Sequence, residues 1–322
     1  LYYILRIQKR KGNDGMIDKL LARVVKHRFE KGFTYTPIVT DVTGTYDIPY
    51  SMDGNAMHLM DVYYPKEGRG PYPVILYIHG GAWVACDKNM NRAYCEYLAS
   101  FGYCVLNMSY RLLPKTDLKG QLQDVVTAIN CFLSLPMETI AEVSQLVLMG
   151  DSAGAHIASL LYCLMQDQKQ QSKFNISMKA LPIKALVLQN MVSDLSVFTN
   201  AKAWYLREMM HLLFGRHYKQ SDILHISSFL EAVHEDIAKV PVILVGSEHD
   251  PLYEQTKRMQ DYLTMHAWEC TAIIWTKNDP EKLGHVFQVI NPLWEESRQT
   301  HERIFRRLQE VLKDEHRTEA AS

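Results

Sequence analysis

The chain has 322 residues, 47% hydrophobic and 22% charged, an ordinary composition for a folded protein with a large apolar core. Its formal net charge of -1 excludes a strongly basic chain overall, and nothing in it points to nucleic acid or an anionic membrane as a partner. No run of ~18 apolar residues occurs, so stable membrane insertion is not expected.

At the start, Leu1–Ile7 is apolar but shorter than the hydrophobic region of a signal peptide. Lys9, Arg10 and Lys11 follow it, the reverse of the order that a signal peptide requires. Met16 is therefore the expected native beginning and the cytoplasm the expected compartment. Met16, Ile17, Leu20, Leu21, Val24 and Val25 then recur at helical spacing, with Lys19, Arg23, Lys26 and Arg28 on the other side. Such a helix is expected to pack its apolar stripe on its own protein, in preference to lying on a membrane.

Two strand-like segments, 37–48 and 56–64, flank the turn Asp53-Gly54-Asn55 and read as an antiparallel pair at a sheet edge. Beyond them, short apolar runs alternate with helical patterns. The expected strands are Val74–Ile78, Tyr103–Met108, Leu146–Met149, Ile183–Leu188, Val242–Val245 and Thr271–Trp275. The expected helices are Met90–Ser100, Asp117–Leu135, Ala153–Gln166, Glu254–Met265 and Trp294–Leu312. Strands apolar on both faces suit a parallel sheet covered on each side, so the chain reads as a doubly wound α/β protein.

One connection is too long for this rhythm. About fifty residues separate Leu188 from Val242, far beyond an ordinary link. Within them, 203–214 carries Trp204, Tyr205, Met209, Met210, Leu212, Leu213 and Phe214 at helical spacing, which fits either core or a helical cap over a site. The expected division is a leader, cap helix and edge strand over 1–50, a first core part over 51–194, a cap insertion over 195–238 and a second core part over 239–322. Cys86, Cys95, Cys104, Cys131, Cys163 and Cys270 form no C-x-x-C pair. Buried free thiols in a reducing compartment are expected, with neither a disulfide framework nor a metal site.

The chemistry concentrates in four places. Gly150-Asp151-Ser152-Ala153-Gly154 follows a buried strand and opens a helix of small residues, the context of a nucleophile elbow. A sharp strand-to-helix turn there projects the Ser152 hydroxyl, and the helix aims its positive end at developing negative charge. His79-Gly80-Gly81-Ala82-Trp83 follows the strand Val74–Ile78 and suits a loop that supplies oxyanion donors. The expected donors are the N–H groups of Gly80, Gly81 and Ala153, with His79, Trp83 and Asp151 as structural neighbours. A serine needs a base, and the base needs a carboxylate to orient it. In chain order, Asp250 follows the strand Val242–Val245 and His285 follows the strand ending at Trp275. Glu248 and Asp194 are weaker candidates for the acid. His156 and His301 lie within helices, and His249 precedes the last strand, so they suit the base poorly.

These segments together resemble the hormone-sensitive-lipase-like branch of the α/β-hydrolases. Ser109-Tyr110-Arg111-Leu112 adds a further match to the tyrosine–arginine step of that family, and the matching pieces run from Ala56 to Phe287. Two departures stand out. Ala82-Trp83 replaces the commonest third glycine, a variant similar to acetyl- and feruloyl-type esterases and arylformamidases, and Ala155 follows Gly154 where a second glycine is frequent. The resemblance implies the α/β-hydrolase fold with a helical cap, and a serine carboxylesterase acting on small-molecule esters of short to medium acyl chains. An amidase or arylformamidase, or a true lipase, would use the same triad. A catalytically silent binding protein is a remote alternative, since such proteins commonly lose a triad member. No cofactor is implied, and the oligomeric state, including a homo-oligomer, is left open.

Overall fold

A computed structural model describes residues 34–319, together with Arg23, Val24, Lys26, His27 and Lys31. The amphipathic helix expected from Met16 and the question of the native start lie outside the described residues, apart from Arg23, Val24 and Lys26. One eight-stranded sheet organises the chain, in the order β1-β2-β4-β3-β5-β6-β7-β8. The strands are β1 (Val42–Pro49), β2 (Leu59–Pro65), β3 (Tyr72–Ile78), β4 (Cys104–Met108), β5 (Ala141–Asp151), β6 (Ile183–Gln189), β7 (Val242–Ser247) and β8 (Cys270–Trp275). β1 and β2 pair antiparallel at one edge, β2 also runs antiparallel to β4, and every remaining pair is parallel.

Strand periodicity explains why the sheet is covered twice. Successive side chains point to opposite faces, so Val74, Leu76 and Ile78 enter one core while Ile75 and Tyr77 enter the other. The same alternation divides Leu146 and Leu148 from Val147 and Met149 on β5. On the second face α1 (Arg92–Ala99) supplies Tyr94, Cys95 and Leu98. On the first, α2 (Leu118–Leu133) begins at Asp117, whose side chain accepts the Gly120 N–H and caps the helix. The next helix on that face, α3 (Ala153–Leu164), is buried at every position, as an apolar helix wedged between sheet and neighbouring helices must be.

Between β5 and β7 lie the short α4 (Gln168–Phe174) and, after β6, α5 (Ser196–Thr199), α6 (Trp204–Phe214) and α7 (Phe229–Ala232). α4 is absent from the sequence reading because its polar face gives it little periodicity. On α6, Met209, Met210, Leu212 and Leu213 are buried in the same core as the sheet, while Trp204, Tyr205 and Leu206 are half-buried. The core alternative thus describes the buried half of this helix. The chain closes with α8 (Tyr253–Met265), α9 (Phe287–Ile290) and α10 (Glu295–Glu319), whose Ile304, Phe305 and Leu308 complete the second face. Among the described residues no helix is long and apolar enough to cross a membrane.

Because β4 lies on one side of β3 and β5 on the other, the strand order reverses beside β3. In open α/β sheets the crevice at the carboxyl ends beside such a reversal is where ligands bind. The register aligns these ends: Ile78 pairs with Gly150, Asp151 with Gln189, and Ser247 with Trp275. The motifs at His79, Ser152, Asp250 and His285 all leave the sheet on this side.

Candidate active site

The Gly150–Gly154 turn is shaped by close approach. A Cβ on Gly154 would overlap the Ile78 and His79 carbonyl oxygens, and one on Gly150 would meet the Gly154 backbone. Only glycine lets β5, α3 and the end of β3 come this close. Between them Ser152 is held at φ 51°, ψ −118°, a region costly for a side-chain-bearing residue. Its N–H donates to the Gln189 carbonyl at 2.8 Å, which ties the turn to the end of β6.

The three residues expected as a triad meet. Ser152 Oγ lies 2.9 Å from His285 Nε2, and His285 Nδ1 lies 2.9 and 3.0 Å from the two oxygens of Asp250. Asp250 Oδ1 also accepts the Leu252 N–H at 2.9 Å, and Oδ2 accepts from Asn190 Nδ2 at 2.6 Å. The Asp250 side chain has no exposure, whereas that of His285 is 26% exposed. A buried carboxylate thus supports a base that reaches the surface.

The rival residues are engaged elsewhere. Glu248 accepts the Lys277 N–H, and Asp194 accepts from Ser196 and pairs with Arg258 at 3.7 Å. His249 Nε2 meets the Asp279 carbonyl, and His156 and His301 are wholly buried.

The oxyanion loop requires one correction. The Gly80 N–H, expected to face a substrate, donates instead to Asp151 Oδ1 at 3.0 Å. It is therefore consumed in anchoring the loop. Among the described residues neither Gly81 N–H nor Ala82 N–H has a backbone acceptor. Ala153, the first residue of α3, has no acceptor within its helix. The loop turns through three successive positive φ angles, 106° at Gly81, 52° at Ala82 and 62° at Trp83. The Val84 and Ala85 N–H groups both return to the Gly81 carbonyl.

Asp151 is the hub of this anchoring. It is buried, accepts the Tyr77 hydroxyl at 2.5 Å as well as Gly80 N–H, and burial pushes its carboxyl above the ordinary range. His79 is also fully buried; its Nδ1–H donates to the Gly80 carbonyl at 2.7 Å, its ring stacks on Tyr110, and Tyr110 O–H donates to the His79 carbonyl. Burial depresses the His79 imidazole to about 4, so it is neutral here and structural. Arg111, next in the Tyr-Arg step, is held by both oxygens of Asp124.

Trp83 fastens the other end. Its Nε1–H donates to His156 Nδ1 at 3.3 Å, and His156 Nε2–H donates to the Ser227 carbonyl at 2.7 Å. The oxyanion loop, the elbow helix and the segment before α7 are joined through these two rings. Burial holds His156 at about 4, so its Nδ1 lone pair is available to Trp83.

Sequence reasoning did not mark Asn190, whose side chain donates to Asp250, or Gln288, which donates to Asn190. Asn190 directly follows β6, and the rule that marked Asp250, a polar residue just past the carboxyl end of a parallel strand, marks it equally.

Comparison with known proteins places this geometry in a family. The BD-FAE family model matches residues 60–263. Esterase B from Lactobacillus rhamnosis superposes with a TM-score of 0.86 at 26% identity, covering 95% of this chain and 100% of that one, and has also been solved inhibited by a C4-C4 SN3 tributyrin phosphonate. The kynurenine formamidase of Drosophila melanogaster is 25% identical over 234 residues, 70% of this chain and 72% of that protein. The probable isoprenylcysteine alpha-carbonyl methylesterase of Oryza sativa subsp. japonica is 33% identical over 130 residues, 39% of this chain. The chain spans less than a third of the length of that rice protein and of its Arabidopsis thaliana counterpart. The match to the family model across most of the sheet, together with the likeness to a solved esterase along nearly its whole length, shows that the chain belongs to the BD-FAE family, within the hormone-sensitive-lipase-like esterase branch of the α/β-hydrolases.

Proposed function

We propose that the protein hydrolyses carboxylic esters of short to medium acyl chain through an acyl-enzyme on Ser152. The observation that carries this reading is the continuous line from Ser152 Oγ through His285 to the buried Asp250. Ser152 Oγ attacks the ester carbonyl as His285 Nε2 takes its proton, and Asp250 stabilises the imidazolium that forms. Gly81, Ala82 and Ala153 N–H groups bind the oxyanion of the tetrahedral intermediate, aided by the positive end of α3. His285 then protonates the leaving alkoxide. Water enters and attacks the acyl carbon as His285 removes its proton; the second intermediate then collapses, His285 returning the proton to Ser152 Oγ as the acid leaves.

Residues 195–238 act as the cap that shapes the acyl or alcohol site, with half-buried Trp204 and Tyr205 offering apolar surface. Short to medium acyl chains are favoured because the structural relative esterase B has been solved in C4-C4 SN3 tributyrin phosphonate and C6-C4 SN3 inhibited forms. A second reading, formamide or anilide hydrolysis, rests on the similarity to kynurenine formamidase over 70% of the chain. The test compares hydrolysis of p-nitrophenyl acetate, butyrate and laurate with that of formanilide and acetanilide, using Ser152→Ala as control. Fastest turnover of acetate or butyrate, lost in Ser152→Ala, supports the ester reading. Preference for formanilide replaces the substrate class, and preference for emulsified laurate replaces the esterase by a lipase.

A further inference from the structure

A carboxylate without solvent exposure needs its lone pairs filled, and its direction depends on what fills them. Asp250 Oδ1 accepts the Leu252 N–H at 2.9 Å, a bond local to its own turn. Oδ2 accepts Asn190 Nδ2 at 2.6 Å, from a different strand end. Asn190 is itself held on three sides. Its N–H donates to the Val245 carbonyl at 2.8 Å, its Oδ1 accepts from Gln288 Nε2 at 3.0 Å, and its side chain has no exposure. Gln288 Nε2 also donates to Gln189 Oε1 at 3.1 Å, which in turn accepts the Tyr94 hydroxyl.

The chemistry allows one orientation of the Asn190 amide. A carboxylate can only accept, so Nδ2 faces Asp250 and Oδ1 is left for Gln288. The backbone adds a second constraint, since Asn190 sits at φ 49°, where Asn is among the few side-chain-bearing residues that settle readily. Gln288 lies on the short helix that His285 introduces. The strand end that holds the acid and the helix that follows the base are thereby tied to one amide.

We propose that Asn190 is a positioning residue for the Asp250–His285 pair, with Gln288 holding Asn190 in place. Asn190 stops the carboxylate from rotating about its Cβ–Cγ bond and so keeps an oxygen on His285 Nδ1. Its donated hydrogen also offsets part of the carboxylate charge felt by the imidazole. Among the described residues, Asp250 faces His285 directly and the carboxylate of Asp151 acts on it across the elbow. This role rests on the triad reading given above.

The test uses Asn190→Ala and the near-isosteric Asn190→Asp, with Gln288→Leu as a weaker relative. Two readouts are followed: kcat and KM with pH on a soluble acetate ester, and the titration of the His285 imidazole by ¹⁵N NMR without substrate. Asn190→Ala is expected to lower kcat about 10–100-fold while KM changes by no more than about twofold. The acidic limb of kcat/KM and the His285 titration both move to higher pH, further in Asn190→Asp. Gln288→Leu shifts both in the same direction by less. An unmoved His285 titration in both Asn190 variants, with any loss of turnover matched by loss of folded protein in circular dichroism, overturns the proposal. If the wild type does not cleave the ester, the proposed substrate falls, while the NMR titration still decides the role of Asn190.

Discussion

Replacing Asp151 separates its role as an acceptor from its role as a charge. In Asp151→Ala the Tyr77 hydroxyl and Gly80 N–H lose a shared acceptor inside the protein. An orphaned buried donor costs about 1–3 kcal/mol. Part of that loss is offset, because burial already disfavours the ionised carboxylate. A net loss of about 2–3 kcal/mol follows, or roughly 3–5 °C in Tm for a chain of 322 residues. Gly80 also loses its anchor, so kcat falls about 10–100-fold as the neighbouring Gly81 and Ala82 donors shift.

Asp151→Asn keeps an oxygen acceptor in the same place and is expected to hold within about 1 kcal/mol of wild type near pH 5. The sign with pH follows from burial. A carboxyl whose folded value is raised binds its proton more tightly in the folded state, so it loses stability as pH rises from its unfolded value through its folded one. The asparagine variant lacks this loss, and its stability relative to wild type therefore improves between acid and neutral pH. Urea melts at several pH values, beside ester turnover, measure both effects. An Asp151→Ala protein as stable and active as wild type would refute the anchoring argument. Equal damage in Asn and Ala variants would show that charge, and not acceptance, matters at this position.

Three further outcomes follow from the same geometry. Trp83→Phe removes the bond to His156 while keeping an aromatic ring, and is expected to lower kcat about 10-fold with a smaller change in KM, read in steady-state kinetics. Gly154→Ala drives a methyl group into the Ile78 and His79 carbonyls and is expected to abolish soluble expression or lower Tm by about 5 °C or more. His79 and His156, each depressed to about 4, and His301, depressed to about 3, are buried neutral. A histidine depressed in the folded state gives stability that is present above about 6.5 and lost as pH falls. Each contributes about 1.4 kcal/mol per pH unit within that window, so urea midpoints should drop steeply from pH 6.5 to 4, and His301→Leu should lessen the slope.

Much of this was readable in the residues because the signals are local. Six apolar runs marked the parallel strands to within a few residues, since strands buried on both faces leave little room for polar side chains. The elbow and the loop after β3 are contiguous motifs, and Asp250 and His285 follow from the order in which this fold spends its strand ends. What escaped is what depends on pairing across the sheet. That the Gly80 N–H is taken up within the protein is decided by Asp151, about seventy residues away, whose side chain reaches back to it. Asn190 and Gln288 come together over nearly a hundred residues, and no spacing rule links an asparagine after one strand to a glutamine after another. The bond from Trp83 through His156 to Ser227 likewise needs three elements in place at once.

The central claim is that Ser152 carries the acyl group, and trapping that intermediate tests it most directly. Wild type and Ser152→Ala are mixed with excess p-nitrophenyl butyrate, quenched in acid within the first turnovers, and analysed by intact-mass and peptide mass spectrometry. The account predicts one butyryl group on the peptide that contains Ser152, a matching burst of p-nitrophenol, and neither in Ser152→Ala. Undiminished turnover by Ser152→Ala, or a butyryl group carried on another residue, would contradict it.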